Sequence, residues 1–125
     1  MGKTIAMQPI SSFQVDVNKD DIIQPAAGWL DCKDFRHLTL DVRITENAST
    51  AGAGALELET AQSPTGPWTQ LVRYAAAGST HAVSSYADDA SPYLERFVRW
   101  RLDLSDVALV DWRMTFRICA TLRGS

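Results

Sequence analysis

The sequence predicts an all-β fold, an antiparallel two-sheet sandwich, jelly-roll-like, of about eight strands. Three observations carry this. Long runs alternate apolar and polar residues with period two, as strands do when one face is buried and the other solvated. Turn-forming clusters separate the runs at roughly ten-residue intervals, the spacing of sandwiches and barrels. No segment keeps a helical stripe. The best helical candidate, residues 91–101 with Pro92 near its start, is overridden by the alternation of Val98, Trp100, Leu102 and Leu104.

In chain order, Phe13, Val15 and Val17 alternate before a break at residues 18–21, and Pro25 to Gly28 follows Ile22 and Ile23 as a second turn signal. Leu38, Leu40, Val42 and Ile44 form the first long apolar face. The small residues 46–54 make a loop, after which Leu56 and Leu58 alternate with Glu57 and Glu59. The Pro64-Thr65-Gly66-Pro67 turn leads to Trp68. Breaks at residues 75–79 and 88–92 precede the two closing runs. The last is the longest: Trp112, Met114, Phe116, Ile118, Ala120 and Leu122 alternate with Arg113, Thr115, Arg117, Cys119, Thr121 and Arg123. Strands are therefore expected near residues 4–8, 12–17, 28–32, 36–45, 54–62, 67–74, 93–104 and 110–122, with a further short one near 80–86.

The 125 residues fit one sandwich domain over residues 1–125, large enough to bury a core without a disulfide or metal staple. Residues 1–12 admit two placements: an extended arm that adds a strand to a neighbouring molecule, or a terminal strand of the chain's own sheet. Net charge is -3, which argues against a general nucleic-acid binder, because phosphate binding draws on a Lys/Arg excess. The charge is uneven. Residues 1–92 hold six Lys/Arg against eleven Asp/Glu, and residues 93–125 hold six Arg against four Asp/Glu. Opposite signs on one small domain suit docking or self-association; an ordinary mixed surface shows the same counts. No stretch approaches the ~18 apolar residues of a membrane span. The start, Met1-Gly2-Lys3-Thr4-Ile5, lacks the apolar region of a secretion signal, so a reduced, intracellular or lysis-released protein is expected. Two cysteines, Cys32 and Cys119, leave pairing open. Asn47-Ala48-Ser49 fits the glycosylation pattern, read as coincidence without a secretory signal.

The residues assign no catalytic, cofactor or metal site. There is no Gly-x-Ser-x-Gly, and His37 and His81 show no triad spacing. Cys32, His37, His81 and Cys119 are too scattered for a zinc site. Asp16 to Asp20 opens like a calcium loop, but Asp21 and Ala27 stand where glycine and glutamate are required, which leaves an Asp/Asn-rich turn as the simpler reading. Glu57 and Glu59 lie about 7 Å apart on one strand face, a spacing that suits glycoside hydrolysis, but any solvated strand shows the same pattern. Trp100 and Trp112 fall in phase with core residues. Trp68, after its turn, is the candidate platform for carbohydrate, against a packed loop anchor. Arg99 and Arg101 on one run, and Arg113, Arg117 and Arg123 on the next, would form one arginine-rich interface if the two runs pair; a solubilising face is the alternative.

Three stretches together resemble a known group: Ala27-Gly28-Trp29-Leu30-Asp31 before the alternating strand; Leu56 to Trp68 as strand, short turn and Trp; and Phe97 to Leu102 leading to the closing strand. Their order resembles the small jelly-roll decoration (cement) or virion-associated proteins of tailed bacteriophages. The resemblance implies a non-enzymatic assembly protein without cofactor, a homo-oligomer that clamps a capsid or other virion protein, located on the virion or in the host cytoplasm. It supplies no catalytic residue. A carbohydrate-binding module and a small enzyme on the same scaffold are the competing readings.

Overall fold

The computed structural model of the chain describes residues 2–17, 21–48, 54–104 and 110–124, without the side chains of residues 15–17 and 110. The described residues form nine strands: β1 (Gly2–Val17), β2 (Ile22–Ile23), β3 (Leu30–Asp31), β4 (His37–Ala48), β5 (Ala55–Ala61), β6 (Thr69–Tyr74), β7 (Thr80–Ala87), β8 (Phe97–Asp103) and β9 (Val110–Arg123). The first sheet has the order β1-β9-β4-β7 and the second β2-β8-β5-β6, every pairing antiparallel. Among the described residues, no helix is long and apolar enough to cross a membrane.

β2 and β3 lie end to end along one edge of β8, opposite Leu102/Arg101 and Val98/Phe97 respectively. They are one strand interrupted by a 3₁₀ turn at Ala26–Gly28, entered through Pro25, which has no N–H to give a ladder. Counted as one, they leave eight strands in two four-stranded sheets whose order is that of a jelly roll.

Several expected boundaries differ. Residues 46–48, expected in a loop, extend β4; Ile22–Ile23, outside the expected strands, form β2; and β8 begins at Phe97 rather than near residue 93. The separate strands near 4–8 and 12–17 are one strand, its pairing with β9 shifted between Ala6 and Gln8 and again between Gln8 and Ser11, around Pro9. The terminal residues Gly2 to Ser12 thus pair within the chain's own first sheet, from Gly2 opposite Arg123 onward. The short run near 80–86 is a full edge strand, β7.

The period-two pattern places the core between the sheets. Leu38, Leu40, Val42 and Ile44 of β4, the six alternating apolar residues of β9 from Trp112 to Leu122, Leu56 and Leu58 of β5, and Val98, Trp100 and Leu102 of β8 are all at most 1 % exposed. Burying each larger side chain is worth roughly 1.5–3 kcal/mol. Phe13 and Phe116 of the first sheet meet Trp100 of the second with ring centroids 5.2 and 5.3 Å away, an edge-to-face lock between the layers.

Two buried amides close the sandwich where ladders end. Asn47 Nδ2 donates to the carbonyls of Gly54 (2.9 Å) and Ala76 (3.0 Å), and its Oδ1 accepts Trp112 Nε1–H at 2.8 Å. Gly54 packs flat on that indole, where a Cβ would stand 2.6 Å from Trp112 Cε2. Gln24 Nε2 donates to Gly28 O (2.8 Å) and Met7 O (3.3 Å), and its Oε1 accepts the Trp100 N–H at 3.2 Å. This side chain ties the broken β2–β3 edge to both sheets.

Candidate interaction faces

The outer face of the second sheet departs most from expectation. Glu57 and Glu59, expected on a solvated strand, are 4 % and 6 % exposed, and all seven residues of β5 are buried. Register explains it. Glu57 stands opposite Arg101 on β8 and Arg73 on β6, and Glu59 opposite Arg99 on β8. Arg101 Nη2 donates to Glu57 Oε1 at 2.6 Å and its Nη1 to Asp21 Oδ2 at 3.0 Å. Arg73 Nη1 donates to the other Glu57 oxygen and, at 2.7 Å, to Asp103 Oδ2. Arg99 Nε donates to Glu59 Oε1 at 2.8 Å. The Arg101 Nε is buried without a hydrogen-bond acceptor, 3.7 Å from Glu59 Oε2. Bonds to Asp103 and Glu57 raise Arg73 above the ordinary guanidinium range, and the bond to Glu57 does the same for Arg101. Long arginine stems thus roof the carboxylates.

Trp68 belongs to this cluster. Arg99 lies 3.8 Å above its ring and 5.2 Å from the ring of Trp29, and the two indoles meet edge-to-face at 5.0 Å. Trp29 Nε1 donates to Gln24 O at 2.7 Å. The half-buried Trp68 therefore has one face covered by a guanidinium that is itself paired to Glu59. The Trp29–Arg99–Trp68 stack is absent from the sequence reading, since residues 29, 68 and 99 come from three separate segments.

The expected single arginine-rich face does not form. β8 and β9 do not pair: β8 lies in the second sheet between β5 and the β2–β3 edge, and β9 in the first between β1 and β4. Arg99 and Arg101 hence point from one side of the sandwich, and Arg113, Arg117 and Arg123 from the other. Arg113 pairs with Glu46 at 3.3 Å. Arg117 Nη1 reaches Cys119 Sγ at 3.5 Å. Arg123 stands at the far end of β9, roughly 33 Å from Arg113 at strand rise. Consecutive long strands invite the guess that they pair; in a jelly roll they cross between sheets.

The remaining titratable groups are dispersed. On the outer face of the first sheet, His81 Nε2 lies 2.9 Å from Asp41 Oδ1, with Arg43 Nη2 3.4 Å from its Nδ1, and the histidine side chain is 47 % exposed. His37 lies at the other end of β4, beside an open hollow of about 200 Å³ that Thr39, Ser85, Pro92 and Arg123 also line. Cys32 and Cys119 are free thiols. Burial, with the charge of Asp31 added, pushes Cys32 up to about 12. Asp31, doubly bonded by Arg96 at 3.1 and 3.0 Å, is held below the usual carboxylate range. Among the described residues, no group of three or more His, Cys, Asp or Glu could hold a metal ion. Residues 18–20 of the calcium-loop candidate lie outside the described residues.

Strand order and sheet pairing define the chain as a jelly-roll sandwich. No protein-family model matches the sequence, and no curated protein matches it. Among solved structures it is similar to a chain of the Bacillus endospore appendages, described as disulfide-linked pili, at 10 % identity and TM-score 0.52 over 100 % of this chain and 92 % of that one. That likeness shows the fold. Two chains of infectious bursal disease virus, one from the Gx strain and one from the VP2 subviral particle, match at 14 % and 12 % identity. Both have TM-score 0.46, and this chain spans 33 % and 32 % of their length.

Proposed function

We propose that this chain is a non-enzymatic assembly subunit, a single-domain jelly roll that associates with copies of itself and with a capsid or other virion protein. One observation carries the reading. Among the described residues, three of the four exposed large apolar side chains stand on edge strands: Ile10 on β1 (61 % exposed), Ile23 on β2 (45 %) and Val83 on β7 (62 %). Exposed apolar groups on unpaired strand edges suit docking of another chain. The disposition of the ionisable groups supports the same reading. Glu57 and Glu59 are neutralised by arginines, and the pair His81–Asp41 lies on open sheet surface with no third group of a triad bonded to it among the described residues. A virion location follows from the reading.

The test is co-sedimentation of the full chain with capsids, tails and complete particles. Saturable association is expected. Chain left in the supernatant with every particle form would sink the proposal.

A second reading, a carbohydrate-binding module, has one observation of its own: Trp68 and Trp29 stand together on one outer face beside Arg99. It requires glycan binding that Trp68→Ala abolishes. A glycan array without signal, or binding unchanged by that substitution, removes it.

A further inference from the structure

We infer that β7 is a self-pairing edge: two copies of the chain join their first sheets across β7, antiparallel about a two-fold axis at Val83. This rests on the assembly reading above and names the surface through which copies meet.

The four sheet edges differ in how they are protected. β1 carries Lys3, Pro9 and two register shifts. The β2–β3 edge consists of two-residue strands broken by a 3₁₀ turn. β6 carries Arg73, and the β5–β6 pairing is shifted between Leu58 and Glu59. These are the devices by which sheets avoid edge-to-edge pairing. β7 has none of them. Its sequence, Thr80-His81-Ala82-Val83-Ser84-Ser85-Tyr86-Ala87, contains no proline and no Lys, Arg, Asp or Glu, and its register with β4 runs without a shift from Ile44/Thr80 to His37/Ala87.

The direction of its backbone groups follows from one hydrogen bond. Asp88 N–H donates to Arg36 C=O at 3.1 Å, so residues 36 and 88 form a hydrogen-bonded pair continuous with the ladder. Bonded and non-bonded pairs alternate in an antiparallel ladder. Tyr86, Ser84, Ala82 and Thr80 therefore bond to β4, while His81, Val83, Ser85 and Ala87 turn their N–H and C=O toward the open edge. Ala87 C=O is taken by Leu94 N–H at 2.9 Å, which closes that end. The free stretch is His81 to Ser85.

That stretch complements itself. A two-fold axis normal to the sheet must place a residue opposite its own copy, because directly opposed side chains share a face. With Val83 opposite Val83 of the second copy, His81 faces Ser85 and Ser85 faces His81, and all three pairs are of the bonded kind, giving about six N–H···O=C bonds. Val83, the most exposed large apolar side chain among the described residues, then packs against its own copy, a favourable β-branched cross-strand pair. No like charges are opposed along the strand. Asp41 and Arg43, which contact His81 from β4, are of opposite sign. Ala82, Ser84 and Tyr86, half-buried on the inner face of β7, sit at the margin that a second copy would extend.

The test is the solution mass of the full chain and of two variants, by light scattering over a concentration series. Val83→Lys sets two ammonium groups against each other at the axis. Val83→Pro removes a donor that the chain's own ladder does not use, as prolines on edge strands do. The expected result is a wild-type mass of two chains or an even multiple, where one chain is 13.8 kDa, and a halving of that mass in both variants with an unchanged circular dichroism spectrum. An oligomer that both folded variants retain overturns the β7 inference and leaves the assembly reading standing. A wild-type monomer that still binds particles overturns the β7 inference and the self-association of the proposed function, and leaves particle binding standing. A wild-type monomer that binds none overturns both.

Discussion

Asn47, in an Asn-Ala-Ser triplet expected to match the glycosylation pattern only by coincidence, is 0 % exposed, with its amide and carbonyl oxygen all engaged. In the folded chain it is closed to modification. Asn47→Ala leaves the Trp112 Nε1–H unpaired in the core and is expected to cost at least about 2 kcal/mol, read from urea unfolding; an unchanged midpoint would show the amide to be dispensable. Gly54→Ala, which drives a Cβ into the same indole, is expected to lower the melting temperature as well. Cys32 gives a pH prediction. Its thiol is raised from 9.0 to about 12 in the fold, so the unfolded chain loses that proton first as pH rises. The stability it contributes is complete below pH 9 and is lost progressively toward pH 12. Wild type should therefore lose stability relative to Cys32→Ala across that range, and parallel curves would contradict the assignment.

At the scale of elements, the alternating runs were legible because each buries one clean face. β4 from Leu38 to Ile44 and β9 from Trp112 to Leu122 follow the expected phase, which β4 loses at the shift after Ile44 that turns Asn47 inward, and Trp100 and Trp112 are buried as their phase requires. Pairing was not legible. Period two says which side chains share a face but not which strand lies beside which; the arginines of β8 and β9 would share a face only if those strands paired, and they lie in different sheets. The same gap hid the cluster on β5. Glu57 and Glu59 look like solvent-facing residues until Arg73, Arg99 and Arg101 are set opposite them. The pair Arg99–Glu59 has side chains 12 % and 8 % exposed, so removing one partner strands a charge. Glu59→Ala is expected to cost about 3–5 kcal/mol, whereas the double replacement Glu59→Leu with Arg99→Leu should cost far less. A double-mutant cycle reads the difference, and additive losses would mean that the two side chains act independently.

For the whole molecule, the fold divides its outer surfaces by role. The second sheet's outer face is consumed by its own ion pairs and by the Trp29–Arg99–Trp68 stack, whereas the sheet edges hold exposed Ile10, Ile23 and Val83. A sandwich that pairs the charges of its polar face internally and leaves apolar residues at its edges is suited to joining other sheets. Copies joined through β7 would present β1 at both outer ends of a continuous sheet, leaving Ile10 and Ile23 for a further partner. The measurement that bears most directly on this account is the number of copies bound per particle, taken from quantitative sedimentation at increasing ratios of chain to capsid. A subunit that assembles on a particle should saturate at a fixed number of copies set by the symmetry of the particle. Binding that never saturates, or none at any ratio, would contradict it.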